Sequence, residues 1–536
     1  MSVRVRGVPQ AARLRRELDA TSVRVRGVPQ AAWTTNGANA KPPAWPDSRW
    51  FAAFRGFVVQ MARAFRERGQ NIGRKSVSSV DNMRATLTHA LASPHVVLGG
   101  LFALSLLAFL ALIPAPRVDG QLIGSDGVSY YVFLRSAVID GDLDFRNEFA
   151  YYSQARPELR PLADGRLGNK YGVGAALLWL PFFALAHSVA LTAAALNLPV
   201  RPDGLGYLYQ SAIAIGSICY GAAGFLLIYG SARRLCGANA ALFAVAGLWL
   251  ASNALYYIVI EPSMAHMVGL FSVALLYAYW HEQLWRRAPS LRAGALLGLA
   301  GGLVLLVRLQ DAPLLLAPYG YLLWGWLRGA TPLTPAPRRA WLAAGVAAGA
   351  GTFVALLPQL VAWRLIYGAW VALPYLQDAD PAFFWLQPHL AGVLISAARG
   401  LFVWHPIYAL AAAGLALLAR RDRALAALCA LALAADIYLV AAWWAWTQGD
   451  SFGGRMFISA MWIWGVGLAA LLEPVLARPR IAPAALAAGM ALALWNGLAL
   501  VQYRLVFVGR PALPGWGEIT IERLLLPVRL LEQLLR

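Results

Sequence analysis

From residue 96 onward the chain alternates long apolar stretches with short polar or basic segments. Many of the stretches have about the 20-residue length an α-helix needs to cross a hydrocarbon layer. The first is 96–115, ending at Pro-Ala-Pro; the others are 207–230, 238–256, 264–281, 293–307, 312–327, 340–362, 401–419, 424–443, 456–472 and 481–502. A further stretch at 172–198, GVGAALLWLPFFALAHSVALTAAALNL, is also long enough to span, and charge decides its placement. If it does not cross, the pairs Arg233/Arg234, Arg286/Arg287, Arg338/Arg339, Arg420/Arg421 and Arg478/Arg480 share a side with the N-terminal flank, where residues 1–95 carry 16 basic and 5 acidic side chains. If it crosses, all five pairs move to the opposite side, against the tendency of cytoplasmic loops to be basic. The pattern predicts an all-α polytopic membrane protein of about 11 transmembrane helices. Its N-terminus is cytoplasmic and its C-terminus outside, and 172–198 is a helix or helix pair lying at the outer surface.

The flanks divide the chain further. SVRVRGVPQAA stands at 2–12 and, unchanged, at 22–32; two copies make no solenoid, and 1–48 reads as a disordered basic tail. In 49–95 an amphipathic segment follows, with Trp50, Phe54, Phe57, Val58, Met61 and Phe65 at helical spacing opposite Arg55, Arg63 and Arg66, as suits a helix lying on the cytoplasmic leaflet. No signal peptide is expected, so the first span targets the chain. The transmembrane body is 96–502, with an outer loop at 116–206, and the outer tail 503–536 carries an amphipathic run through Leu524, Leu525, Val528, Leu531 and Leu535.

Composition agrees. With 59% hydrophobic residues, 13% charged residues and 21 Trp in 536, the chain is too apolar for a soluble core. Its net charge of +20 (46 basic, 26 acidic) sits mostly in short loops and in the N-terminal flank, which points to anionic lipid headgroups rather than nucleic acid. Cys219, Cys236 and Cys429 are scattered, with neither a disulfide framework nor zinc-ligand spacing.

This topology gathers the polar chemistry on the outer face. In GSDGVSYYVFLRSAVIDGDLDF (124–145), Gly124 and Gly127 permit a tight turn at Asp126, and Tyr130, Tyr131 and Phe133 limit its solvation, conditions for a general base. Asp140, Asp142 and Asp144 fail the calcium-loop pattern, with Phe145 where Gly is needed and Tyr151 where Glu is needed. A DxD pair can hold a divalent ion for a nucleotide-sugar, but that donor is cytoplasmic, so these acids read as a polar turn; a divalent metal is the less favoured alternative and no cofactor is expected. Glu261 and His266, beside Tyr256 and Tyr257, either form a turn around Pro262 or line a cavity. Arg308, before Gln310 and Asp311, either presents its planar fork to a phosphate or pairs with Asp311. GDSFGGR (449–455) follows a span rather than a strand, so it is no nucleotide loop, and Arg455 becomes a second phosphate partner. Asp436 stands well inside an apolar span, as in a proton relay, with Tyr438 or Trp443 to satisfy it.

A first span followed by an outer loop with an early Asp (SDGVSYY), the stretch GNKYGVGAALLWLP (168–181) and the EPSMAH, RLQDAP and SFGGR turns resemble the GT-C membrane glycosyltransferases, the superfamily of protein O-mannosyltransferases and lipid A aminoarabinose transferases. The resemblance covers roughly 96–480. Those enzymes typically carry Asp-Glu where this chain has Asp126-Gly127, so a second acid is sought in Asp142, Glu148 or Glu261. The resemblance implies Asp126 as catalytic base, a polyprenyl-phosphate sugar donor, inversion at the anomeric carbon and no obligatory metal. The resulting expectation is transfer of a sugar to a lipid, glycan or protein hydroxyl at the outer face of a bacterial plasma or inner membrane, serving the cell envelope. Asp126 and Glu261 are the catalytic candidates; Arg308, Lys170 and Arg455 the donor-phosphate ligands; Tyr130, Tyr131, Asp142, Glu148, Tyr171 and His266 the cavity lining. The alternative is a transporter or lipid flippase, whose paired broken helices with ionisable residues at the midplane are not the pattern here.

Overall fold

In a hydrocarbon layer every backbone N–H and C=O must find a partner within its own segment, so apolar stretches of this length fold as helices. The structure, a computed structural model, describes residues 93–115, 120–124, 126–152, 161–162, 164–331, 334–377, 379–510 and 512–535, all in the unit Pro46–Arg536. The expected basic tail and nearly all of the amphipathic segment lie outside the described residues. Helix dominates; among the described residues the only β-pairings are isolated bridges.

In chain order the helices are α1 (Pro94–Ala111), α2 (Asp126–Arg135), α3 (Arg146–Tyr151), α4 (Gly174–Ala195), α5 (Tyr207–Cys236), α6 (Ala238–Ala251), α7 (Ala254–Val259), α8 (His266–Gln283) and α9 (Leu291–Val307). A 3-10 turn, Leu309–Leu315, leads into α10 (Leu316–Arg328), then α11 (Arg338–Tyr367), α12 (Leu390–Ile395), α13 (Leu401–Trp404), α14 (Ile407–Leu418), α15 (Arg423–Ala442), α16 (Met461–Leu476), α17 (Ala482–Gln502) and α18 (Arg523–Leu535). Helix occupies each of the eleven apolar stretches. By length and composition, six helices among the described residues are able to cross a membrane: α1, α4, α5, α11, α15 and α17 with its continuation to Phe507.

The stretch read as an outer helix or helix pair is one unbroken helix, α4, with Pro181 inside it. It packs antiparallel on the first half of α5: Trp179 donates to Ser217 Oγ (2.8 Å), Tyr220 donates to the Leu178 carbonyl (2.9 Å), and His187 bonds Tyr209 (2.8 Å). Small residues set the closest helix approach. Gly294, Gly298 and Gly302 recur every fourth residue on α9 and ride on the α11 backbone at Ala344, Ala348 and Thr352, a parallel pairing that larger side chains would prevent.

Two hydrophobic cores result. One fills the bundle, with Trp249, Trp280, Trp285, Trp404, Trp462 and Trp464 nearly inaccessible. The other lies under the outer loop, where Tyr131, Phe133, Phe145, Phe149 and Tyr152 meet Trp179 and Phe183 of α4 and Tyr209 of α5. Several helices break at one end of the bundle: α7 stops before the Pro262 turn, α9 stops at Arg308, and α15 gives way to an extended Trp443. Those breaks build the site.

Candidate functional site

Asp126 opens α2, after a turn in which Gly127 N donates to the Gly124 carbonyl (3.0 Å). The amide groups of Leu122 and Ile123 donate to Gln210 Oε1 on α5 at 2.7 and 3.2 Å, which fixes the approach. Gly127 lies against the turn before α8: a Cβ there would come within 2.9 Å of the Ser263 carbonyl oxygen. That contact gives a physical reason why Gly, not a second acid, follows Asp126.

Lys170 and Tyr171 are delivered by the start of GNKYGVG. Asn169 donates to the Ser129 carbonyl (2.7 Å) and accepts from Tyr171 N (3.1 Å), while Tyr367 OH bonds both backbone groups of Asn169. Val173 N donates to Gln359 of α11 (2.9 Å). Gly172 and Gly174 then press onto the Leu306–Val307 backbone, so Lys170 and Tyr171 stand next to Arg308.

These side chains enclose a polar chamber of about 170 Å³ lined by Asp126, Tyr130, Lys170, Tyr171, His266, Arg308 and Arg455, with Met264, Gln310, Tyr375, Gln448 and Met456 among the rest of its wall. Arg455 pairs with Asp126 at 3.0 Å. Arg308 bonds His266 Nδ1 (2.7 Å), donates to Met456 Sδ (3.1 Å) and stands 3.6 Å from the buried Asp311. The two alternatives for Arg308 are therefore compatible in space: it pairs with Asp311 while its fork borders the chamber. The Lys170 ammonium lies 5.4 Å from the Tyr375 ring and 5.8 Å from the Tyr171 ring.

Burial pushes the Tyr130 phenol well above its ordinary range, so it remains a neutral donor. Burial opposes the charge on Arg455, but the Asp126 carboxylate, with smaller help from Tyr257, Tyr171 and Glu261, raises its pKa above the usual value. Arg455 therefore stays charged.

A second cavity of about 340 Å³ adjoins the chamber, sharing Tyr130, Lys170, Tyr171, Arg308, Gln310, Tyr375, Trp443 and Met456 with it. Away from this shared wall it is apolar except for Gln359, lined by Leu305 and Leu309, by Leu356, Leu360 and Trp363 of α11, and by Leu439 of α15. A polar head with cations at its mouth thus opens into a hydrocarbon groove.

Four sequence candidates stand elsewhere. Tyr131 points away from the chamber and donates to the Gly204 carbonyl, because neighbours on a helix diverge by about 100°. Asp142 accepts from Ser136 Oγ (2.8 Å) and Asp144 N (3.1 Å), closing the turn after α2. Glu148 is buried against Arg135 at 3.0 Å; burial raises its pKa and the Arg135 bond opposes the rise. Glu261 is outside the chamber lining and accepts from Tyr256 OH at 2.8 Å. The loop acids therefore hold the outer loop together: Asp140 pairs with Arg135, and Asp144 with Arg146 at 2.6 Å. Of the partners expected for Asp436, Tyr438 donates instead to the Trp385 carbonyl, and among the described residues Asp436 Oδ2 has no hydrogen-bond partner.

Met456, Tyr375 and Gln448 went unread in the sequence. Met456 takes bonds from Arg308 and from Gln310 (2.7 Å), and Gln448 accepts from Met456 N (2.9 Å).

No protein-family model matches the chain, and no curated protein matches it in sequence. Among solved structures it is similar to ArnT from Cupriavidus metallidurans bound to undecaprenyl phosphate, at 16% identity and a TM-score of 0.44, over 81% of this chain and 72% of that one. It is similar also to the archaeal oligosaccharyltransferase AglB from Archaeoglobus fulgidus in complex with an inhibitory peptide and a dolichol-phosphate, at 13% identity and a TM-score of 0.40, over 76% of this chain. A second structure of the Archaeoglobus fulgidus oligosaccharyltransferase, with Zn and sulfate, gives a TM-score of 0.43 at 13% identity. This chain spans about half the length of that oligosaccharyltransferase, 54% and 53% in the two structures.

Proposed function

We propose that the protein is a membrane glycosyltransferase of the GT-C kind, moving a sugar from a polyprenyl-phosphate carrier to an acceptor hydroxyl with inversion. The observation that carries this reading is the shared wall between a cationic chamber and an apolar groove. An amphiphile with a phosphate head and a long hydrocarbon tail fits that pairing: the tail follows Leu356, Leu360 and Trp363, and the phosphate meets Arg308 and Lys170 at the mouth. Asp126, the chamber's carboxylate, is the base. In the reaction the acceptor oxygen bonds to the anomeric carbon, its proton passes to Asp126, and the bond from that carbon to the phosphate oxygen breaks. Arg308 and Lys170 stabilise the charge that grows on the departing phosphate, the kind of preorganised electrostatics that lowers a barrier most in a site shielded from water. Arg455 orients Asp126 rather than gripping phosphate, since it already forms a charged bond to that carboxylate.

Equilibrium binding of a polyprenyl phosphate and of the matching polyprenol tests the donor site. The phosphate should bind more tightly, and Arg308→Gln should weaken it by about 1.5 to 3 kcal/mol, the scale of a charge-assisted hydrogen bond. Equal affinity for the alcohol and the phosphate in the wild type contradicts the assignment.

A further inference from the structure

At the opposite end of the bundle, two cavities of about 670 and 330 Å³ adjoin, both bounded by Arg234 and Arg286. The larger adds Arg421 and Arg423 and runs onto an apolar wall that includes Trp324 of α10 and Leu428 and Leu431 of α15. The smaller adds Arg287 and His281. We propose that this recess binds the phosphate headgroup of an anionic phospholipid, one acyl chain lying along Trp324, Leu428 and Leu431.

Three observations carry the assignment, and none depends on the glycosyltransferase reading. The first is charge. Glu282 pairs with Arg234, Glu473 pairs with Arg421, and Asp422 is engaged by Trp285 Nε1 (2.9 Å) and by the start of α15 (3.0 Å). Among the described residues Arg286, Arg287 and Arg423 make no ion pair, and Asp422 is the one lining carboxylate without a cation partner, so the recess keeps a net positive charge. The second is His281. It is 6% exposed, lines the recess, and both of its ring nitrogens lack a hydrogen-bond partner. A buried imidazole without partners is costly, and a phosphate oxygen would satisfy it only once the side chains covering its nitrogens yield. The third is amphipathy: Leu431 is 54% exposed on the apolar wall beside the cations, so the recess offers hydrocarbon contact and charge to one ligand.

The surroundings suit a lipid surface. Helix ends here carry Arg233, Arg234, Arg286, Arg287, Arg292, Arg328, Arg338, Arg339, Arg420, Arg421, Arg423, Arg478 and Arg480 against Glu282, Asp422 and Glu473. Basic recesses between helices at such an end attract anionic headgroups, by about five-fold in affinity per cation near the surface.

Native mass spectrometry of the purified full chain, delipidated and offered equimolar phosphatidylglycerol and phosphatidylcholine in micelles, reads the site. The wild type should retain phosphatidylglycerol by about ten-fold or more, and Arg286→Gln with Arg423→Gln should bring the two lipids close to parity. Both arginines are exposed, so the fold should tolerate the change; the single variants give the same readout at smaller amplitude if the double variant does not fold. Arg286→Lys with Arg423→Lys should keep most of the preference. Equal retention by the wild type, an undiminished preference in the Gln variants, or loss of the preference in Arg308→Gln instead would overturn the site. Displacement of phosphatidylglycerol by inorganic phosphate at the same concentration would overturn the lipid as its occupant.

Discussion

Asp126 and Tyr130 stand four residues apart on α2, so both face the chamber, while Tyr131 is turned into the outer loop's core. That divergence explains why two adjacent tyrosines, equally attractive in the sequence, have different fates. Gly127 lets α2 seat against the Ser263 carbonyl and so helps to place Asp126. Gly127→Ala puts a methyl group within about 3 Å of the Ser263 carbonyl, and backbone there has little room to yield. The variant should fold, bind a polyprenyl phosphate normally and transfer sugar at least about ten-fold more slowly, because a small misplacement of a catalytic group is expensive. Steady-state rates beside lipid binding check this, and an unimpaired rate would separate the Ser263 contact from catalysis. Asp126, Arg308 and Lys170 were legible because charge next to an apolar span is conspicuous, a signal that also drew in Asp142, Glu148 and Glu261, which stand outside the chamber. Met456 and Tyr375 were not: a methionine in an apolar run and a tyrosine in a long loop carry no local pattern. Glu148 misled because the sequence does not reveal that the loop folds around Arg135.

At the scale of elements, helices deliver the site by ending at the right place. Arg308 follows α9, and the register of α9 is held by Gly294, Gly298 and Gly302 on α11. Gly298→Val should lower stability by about 1 to 3 kcal/mol through overpacking and weaken polyprenyl-phosphate binding in step, since Arg308 moves with the helix. Gly345→Ala on α11 is the comparison: its new methyl meets nothing within 4 Å, so thermal unfolding should be unchanged or slightly improved. Equal loss in both variants would show that helix propensity, not the α9–α11 contact, governs stability there. Hydropathy made all eleven apolar stretches legible. It also placed the breaks that build the site, near Ile260, Arg308 and Trp443, at the ends of the stretches 238–256, 293–307 and 424–443; what it could not reveal is which side chains those breaks bring together, because that depends on what packs beside them.

For the whole molecule, the chamber and the arginine-rich end are separated by the length of α15, 20 residues or about 30 Å of helix. The positive-inside tendency predicts that the arginine-rich end is cytoplasmic and the chamber outer. Membrane-impermeant thiol labelling, in a background lacking the three native cysteines, should modify Asn197→Cys only from outside and Arg423→Cys only from the cytoplasm. The reverse pattern would invert the orientation, and reaction of both from one side would remove the two-ended arrangement. The central claim, that Asp126 takes the acceptor's proton in sugar transfer from a lipid phosphate, is tested most directly by single-turnover transfer with Asp126→Asn. A panel of polyprenyl-phosphate sugars supplies the donor, chosen as the one the wild type consumes. Asn keeps the size of Asp and much of its hydrogen bonding but cannot accept the proton, so the transfer rate should fall by about 10² to 10⁴ while polyprenyl-phosphate affinity holds within a few-fold. An Asp126→Asn protein that transfers at the wild-type rate contradicts the account.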